Sequence, residues 1–162
     1  MRPRTDIEQA IEVYGAVVWR VCVLHFGRGG DAEDAYQNVF LKYALAESVF
    51  FEGEEHRKAW LIRVAGNTCK DMLRAAARRD EALGESASLV PAPPDPLTQP
   101  ASFHSEVIDA MRSLPDPPRT PLYLSLCEGY VAADIADMLG APVNTVYSWI
   151  SRGKKMLKEA LS

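Results

Sequence analysis

Apolar residues recur along most of this chain at the three- and four-residue spacing of amphipathic helices, and no long segment alternates with the two-residue period of a half-buried strand. The spacing predicts three helices in the first half of the chain, at about residues 6–26, 31–47 and 56–79. It predicts four in the second half, at about residues 103–114 and 119–128 and as a close pair within 131–158. We therefore expect an all-α fold.

Composition divides this helical pattern into two parts. Residues 83–102 contain five prolines and few aromatic residues, a composition typical of a linker. No internal repeat is evident on either side of it. The sequence therefore predicts a three-helix domain over residues 1–82 and a four-helix domain over residues 103–162, joined by the proline-rich linker.

The last pair of helices, within residues 131–158, has the residue pattern of a helix-turn-helix. Ala136 is small where two helices approach, Gly140 stands where the turn requires a positive φ, and Val146 is apolar where the second helix packs back. The alternative is an ordinary helical hairpin with a solvated face. The second helix is expected to expose hydrogen-bonding and basic side chains suited to the DNA major groove, namely Asn144, Thr145, Tyr147, Ser148, Ser151, Arg152 and Lys155.

The net charge of −4 argues against unaided binding to nucleic acid, but the charge is unevenly distributed. Residues 1–56 contain ten acidic and five basic side chains, whereas residues 57–79 contain seven basic side chains and one acid, Asp71. Residues 144–158 contain four basic side chains and no acid. This distribution indicates two kinds of partner, phosphate for the two basic helices and a basic surface for the acidic front.

The predicted helix at 56–79 carries its basic side chains on one face. Their spacing of mostly three and four residues places one stripe along the helix: Arg63, Asn67, Lys70, Arg74 and Arg78. The opposite stripe is expected to face the core: Leu61, Ala65, Thr68, Met72 and Ala76. Positive charge around one Asn indicates phosphate contacts about a side chain that reads a base. Trp60 lies beside the stripe that contains Asn67, where it either stacks on a base or a ribose or packs in or at the edge of the core.

Candidate enzyme and metal chemistry is sparse in this sequence. Cys22, Cys69 and Cys127 are widely spaced among apolar residues, so we expect buried thiols in a reducing cytoplasm and no zinc site. Neither a Ser/His/Asp grouping nor a phosphate-binding glycine loop is present, so we expect no catalysis and no cofactor. No apolar run is long enough to span a bilayer, and we expect no membrane insertion.

Three segments resemble bacterial sigma factors. Asp31–Phe40, DAEDAYQNVF, is similar to their DAEDLVQETF segment, and Ala59–Thr68, AWLIRVAGNT, is similar to their AWLYRIARNx segment. The C-terminal part resembles their last domain, with Leu114–Pro115 at its start, Glu128–Tyr130 before the helix-turn-helix and Val143–Val146 opening the recognition helix. The order of these motifs matches the extracytoplasmic-function (ECF) group of the sigma-70 family, which keeps only regions 2 and 4.

The resemblance implies a dissociable initiation factor that binds core RNA polymerase and reads promoter DNA. The helix at 31–47 would bind the clamp helices of the polymerase through Asp34, Gln37 and Asn38. Asn67 matches the family's base-contacting Asn, which works with the loop at 50–55 on a flipped base of the −10 element. The −35 element would be read by the seven side chains named above on the recognition helix. The −10 residues would be Trp60, Arg63, Asn67, Lys70, Arg74 and Arg78.

Some positions depart from the family pattern. Family members usually have Glu in place of Asn38 and often have Arg in place of Gly66. Because Gly costs about 1 kcal/mol against Ala inside a helix, Gly66 predicts a kink or close packing. Family members also usually have Lys and Arg where Tyr147 and Trp149 stand, so these two exposed rings would contact thymine methyls or a partner protein. The resemblance implies an anti-sigma protein as that partner.

Two other functions stay open on the residues alone. A free-standing helix-turn-helix regulator would form a stable homodimer on two half-sites about one helical turn apart. The basic stripe around Asn67 and the long linker argue against it, because the linker would leave two reading surfaces poorly fixed. A helical interaction module that binds no DNA is the second alternative.

Overall fold

The computed structural model describes the backbone of residues 1–83 and 103–162 and the side chains of residues 1–79 and 106–162. All regular elements in these ranges are helices, which confirms the all-α prediction. They are α1 (Arg4–Phe26), α2 (Gly30–Leu45), α3 (Glu54–Leu83), α4 (Phe103–Met111), α5 (Arg119–Leu126), α6 (Ala132–Leu139) and α7 (Val143–Ala160). Apart from Leu83, the predicted linker at 83–102 lies outside the described residues.

The chain forms two compact units, Met1–Pro96 and Leu97–Ser162. In the first, α1, α2 and α3 all pack against one another around Trp19, Leu24 and Tyr43. The predicted core stripe of α3 is buried at Leu61, Ala65 and Thr68 and half-buried at Met72 and Ala76. As predicted, three helices lie in the N-terminal unit and four in the C-terminal unit. The exact limits of the two domains remain a prediction.

The loop before α3 begins and ends about two residues earlier than the predicted helix limits placed it. The helix begins at Glu54 rather than His56, so the loop ends at Gly53, whose carbonyl accepts a hydrogen bond from the backbone N–H of Arg57 (3.1 Å). Glu54 and Glu55 lie in the first turn, where the positive end of the helix dipole favours acidic side chains. Glu54 and Glu55, which the sequence analysis placed in the loop, therefore form the start of the helix.

The second unit contains the predicted helix-turn-helix, formed by α6 and α7. Gly140 adopts a left-handed conformation (φ 65°, ψ 37°), and its N–H donates to the carbonyl of Ala136. The next N–H, from Ala141, donates to the same carbonyl (3.0 Å), which closes the end of α6. Ala136 and Val146 are both buried, as the pattern predicted.

A close approach that the sequence analysis did not predict fixes α7 against α5. A Cβ atom at Gly153 would lie 3.1 Å from Cδ2 of Leu122 and 3.2 Å from its Cβ. The expected close packing at Gly66 is wrong, because no atom lies within 4 Å of a Cβ built there. In the N-terminal unit the close approach is at Gly15 of α1, where a Cβ atom would lie 2.8 Å from the hydroxyl oxygen of Tyr36.

The cysteines and the charged side chains give no sign of a metal site. Cys22 and Cys69 are fully buried, whereas Cys127 is only half-buried. A hydrogen bond with Cys69, together with burial, raises the pKa of the Cys22 thiol. Across the part of the chain with described side chains, no three His, Cys, Asp or Glu residues gather as metal ligands would. None of the described helices is long and apolar enough to cross a bilayer.

Candidate nucleic-acid interface

The basic stripe of α3, defined as Arg63, Asn67, Lys70, Arg74 and Arg78, faces outward. Four of its members are exposed, and Lys70 is half-buried. Asp71, on the same helix, lies 3.6 Å from the guanidinium of Arg74, with both side chains about two-thirds exposed. Such an exposed pair contributes little stability, so Arg74 can exchange this partner for a phosphate.

Trp60 joins the basic stripe to the loop before α3. Its ring packs edge-on against Phe51, with centroids 5.6 Å apart, and against Tyr43 at 6.0 Å. Edge-on aromatic contacts of this kind are favourable at these distances. Trp60 is half-buried, so it is a rim residue that is fixed on the loop side and partly accessible, about two helical turns before Asn67.

The loop between α2 and α3, residues 46–53, is held in place but leaves one large apolar side chain in solvent. The backbone N–H of Glu52 donates to Nδ1 of His56 (3.1 Å), and the ring of Phe51 packs edge-on against that imidazole. Phe50, by contrast, is 88% exposed. An exposed phenylalanine on a fixed loop adds nothing to the core and is suited to contact a partner.

An open cleft of about 640 Å³ lies between this loop and the first turns of α1. Its wall combines aromatic rings with charged and amide side chains: Arg2, Thr5, Asp6, Gln9, Tyr43, Val49, Phe50, Phe51, Gly53, Glu54 and Arg57. The loop therefore forms one side of the cleft, and side chains from the start of the chain form the other.

A hydrogen-bonded network beneath the cleft joins α1, α2 and α3. The hydroxyl of Tyr43 donates to Asp6 (2.5 Å), and Arg57 donates to Asp6 (3.3 Å) and to the oxygen of Tyr43 (3.2 Å). Arg57 also pairs with Glu54, whose carboxylate accepts a hydrogen bond from the hydroxyl of Tyr14. Arg57, at 14% exposure, therefore belongs to the interior although the sequence counted it in the basic run.

The network shifts two pKa values in opposite directions. Burial, reinforced by the hydrogen bond to Glu54, raises the pKa of Tyr14 to about 12. The hydrogen bonds from Tyr14 and Arg57 lower the pKa of Glu54. The network is thus most stable with a neutral tyrosine and an ionised carboxylate.

The predicted polymerase-binding residues share an exposed face of α2. Asp34, Gln37 and Asn38 are all exposed. Leu41 and Leu45, at 55% and 63% exposure, extend the same face because they follow Asn38 at helical spacing. The sequence analysis missed both leucines, although a helical wheel of α2 would have placed them with the three polar residues.

The recognition helix α7 separates an apolar face from a polar one. Val146, Gly153 and Leu157 are buried. Of the predicted −35 residues, six are exposed: Asn144, Tyr147, Ser148, Ser151, Arg152 and Lys155. Thr145 is half-buried, and so is Trp149, which corrects the expectation that both Tyr147 and Trp149 are exposed.

A helix-turn-helix on one unit and a basic stripe with an aromatic rim on the other are features of a DNA-binding protein. Comparison with known proteins agrees with this class. The pattern of Sigma-70 region 2 matches residues 10–79, which include the α3 stripe. The pattern of Sigma-70, region 4 matches residues 104–157, which include the helix-turn-helix.

Individual relatives and solved structures also resemble this chain. The ECF RNA polymerase sigma-E factor of Haemophilus influenzae is 32% identical over 144 residues, covering 81% of this chain and 75% of that protein. The ECF RNA polymerase sigma factor SigE of Mycolicibacterium smegmatis is 29% identical over 159 residues, 96% of this chain but 61% of the relative. The sigma factor RpoE of Bartonella quintana, solved in complex with the anti-sigma factor NepR, has the same fold (TM-score 0.76, 21% identity, 97% of each chain). This chain therefore belongs to the ECF group of the sigma-70 family.

Proposed function

We propose that this chain is a dissociable initiation factor that binds core RNA polymerase, reads the −10 and −35 elements of promoters and helps to melt the DNA. It works in the cytoplasm and has no catalytic centre of its own. The observation that supports this proposal is the pair of unlike exposed surfaces, the aromatic-rimmed stripe of α3 and the polar face of α7.

The stripe of α3 is suited to a single strand. Asn67 is exposed among cations that hold phosphates, and an amide can read the edge of an unpaired base. Flipping a base out of the duplex costs a few kcal/mol, and stacking on an aromatic ring returns about 1–3 kcal/mol per base. Trp60 and the exposed Phe50 are the rings that we propose for this stacking.

The polar face of α7 is suited to the major groove of a duplex. Ser148 and Ser151 can bond to several bases, whereas Arg152 and Lys155 can bond to guanine or phosphate. Tyr147, at 61% exposure, can contact a thymine methyl. The family usually has cations near this position, so we expect weaker phosphate binding and greater dependence on the polymerase.

The exposed face of α2 is the proposed contact with core polymerase. Asp34 supplies a negative charge for a basic partner, and Gln37 and Asn38 supply hydrogen bonds. Leu41 and Leu45 supply the apolar centre that a stable interface needs. The acidic charge of the N-terminal unit thus meets protein rather than DNA.

We also propose an anti-sigma partner for this chain. Its support is the likeness to the Bartonella quintana sigma factor, which was solved with one. The exposed ring of Tyr147 is the side chain of α7 best placed to contact such a partner. Trp149 is less available because it is half-buried. If Tyr147→Ala left the complex with the anti-sigma protein unchanged, the role given to this ring would be wrong.

Size-exclusion chromatography with core RNA polymerase tests the proposed function. We expect the wild-type chain to co-elute with the polymerase and the double variant Asp34→Ala/Gln37→Ala to bind at least about tenfold more weakly. Glu8→Ala/Glu12→Ala, which changes two exposed residues of α1, is the matched control and should bind like wild type. A wild-type chain that ignores the polymerase and elutes as a DNA-binding dimer would favour the free-standing regulator instead.

A further inference from the structure

Arg2 binds the end of α2 and the following loop from a distant part of the chain. Its Nε donates to the carbonyl of Tyr43 (3.0 Å), and its Nη2 donates to the carbonyls of Ala46 and Val49 (2.7 Å each). Its backbone N–H donates to the carbonyl of Ala44 (2.8 Å). The side chain is only 11% exposed.

These bonds satisfy groups that the helix itself leaves open. The last four carbonyls of an α-helix lack partners within the helix, and Tyr43 and Ala44 are among those of α2. A cation is also favoured at this negative end of the helix dipole. The planar guanidinium, with five fixed donors, reaches three carbonyls at once, which the single ammonium of Lys cannot match in geometry.

Arg2 also orders the aromatic rings of the loop. Its Cζ lies 4.6 Å from the ring centroid of Tyr43 and 5.1 Å from that of Phe51, within the range of cation–π contacts. Phe51 in turn packs against Trp60. A continuous series of contacts therefore runs from Arg2 through Phe51 to the ring of Trp60, about two helical turns before Asn67 on α3.

We propose that Arg2 is a positioning residue for base recognition, because it fixes the loop at 46–53 and, through Phe51, the ring of Trp60. The side chain of Arg2 is only 11% exposed, so the role that we propose for it is indirect and needs no contact of its own with DNA. The inference rests on the proposed −10 function of the α3 stripe. Arg2 lies outside that stripe and outside the segments that the family patterns match. The inference gives this residue a part in promoter selectivity.

The test measures base discrimination, which does not depend on the fraction of active protein. Holoenzyme made with core RNA polymerase is incubated with single-stranded DNA containing a randomised segment, and the bound and unbound pools are sequenced. We expect Arg2→Lys to reduce the enrichment ratio at the most selective position about fivefold to tenfold, as the loss of one or two hydrogen bonds would. Total binding of the pool should fall less, because the phosphate contacts remain.

Two further variants make the test specific. Phe51→Leu leaves the carbonyl bonds of Arg2 in place but breaks its link to Trp60, so we expect a similar loss of discrimination. Arg4→Lys is the matched control, because Arg4 is 90% exposed and pairs only with Glu8, and it should behave as wild type. Unchanged discrimination in both Arg2→Lys and Phe51→Leu would overturn the inference. A wild-type holoenzyme without any base preference would instead overturn the −10 proposal on which the inference rests.

Discussion

The two basic helices of this protein, α3 and α7, are held in their units by different means. Each has a glycine in its middle, but Gly153 of α7 lies against Leu122 while Gly66 of α3 has open space around it. The helix α3 is instead fixed near its N-terminus by Arg57 and the ring of Trp60. The orientation of the proposed −35 reader thus depends on apolar packing, and that of the −10 reader on buried hydrogen bonds and aromatic contacts.

The largest effect that separates the two units is expected at Arg57. Arg57→Ala removes the charged donor to Glu54 and one of the two charged donors to Asp6, which keeps Arg2, so the free energy of unfolding of the N-terminal unit should fall by about 2–3 kcal/mol. The measurement is urea unfolding of Trp149→Phe protein, in which Trp19 and Trp60 report on this unit alone. Arg63→Ala, at an exposed site, is the control and should change stability by less than about 0.5 kcal/mol. Equal effects would place Arg57 outside the network.

Substitutions at Gly153 and Gly66 test whether close packing fixes α7 but not α3. Gly153→Val drives branched atoms into Leu122 and should lower the stability of the C-terminal unit by about 1–3 kcal/mol. Gly66→Ala should raise the stability of the N-terminal unit by about 0.5–1 kcal/mol, because the methyl group meets nothing and the helix gains propensity. Hydrogen exchange resolved by peptide measures both units in one experiment. Tolerance of valine at Gly153 would show that α7 does not need this close approach.

The polar network gives the N-terminal unit a dependence on alkaline pH. Because the folded pKa of Tyr14 is raised to about 12, its contribution to stability is complete below the ordinary value of 10.0 and is lost as pH rises from there through 12. Urea unfolding of the Trp149→Phe protein between these pH values should therefore show a decline that Tyr14→Phe makes shallower. Identical declines with and without the hydroxyl would contradict this origin.

The smallest expected effects are on the salt dependence of DNA binding, which should differ between the stripe of α3 and the polar face of α7. Removing one phosphate contact from a single strand lowers the slope of log affinity against log salt by about 0.7, against about 0.9 for duplex DNA. With single-stranded −10 DNA, we expect Arg63→Ala to lower the slope for the holoenzyme by about 0.7. With −35 duplex DNA, we expect Arg152→Ala to lower it by about 0.9. Titrations with labelled DNA over a range of salt measure both. A change of slope on the wrong substrate would exchange the proposed roles.

Features that depend on the local spacing of residues could be predicted from the sequence. The helical periods placed Asn67 and its cations on one face, and Gly140 identified the turn. Spacing cannot show which outward residue meets a distant segment. Arg57 was therefore counted with the basic run, and the bond from Arg2 to the carbonyl of Val49, 47 residues away, had no signal in the sequence.

Other misses have related physical causes. The close packing belongs to Gly153 rather than Gly66 because only the axis separation of two helices decides whether a Cβ fits. Trp149 was expected to be exposed but is half-buried, since a large ring beside the core stripe of a short domain is partly covered by its neighbours. Leu41 and Leu45 were overlooked because apolar residues on a helix are usually assigned to the core.

Transcription in vitro from a library of randomised promoters, with core RNA polymerase and this protein as the only sigma factor, tests the central claim most directly. Sequencing of the transcribed templates should reveal two preferred blocks, near −10 and −35. Asn67→Ala should weaken the preference only in the first block, and Ser148→Ala/Arg152→Ala only in the second. A single palindromic block, or variants that alter both blocks alike, would contradict a division of promoter reading between α3 and α7.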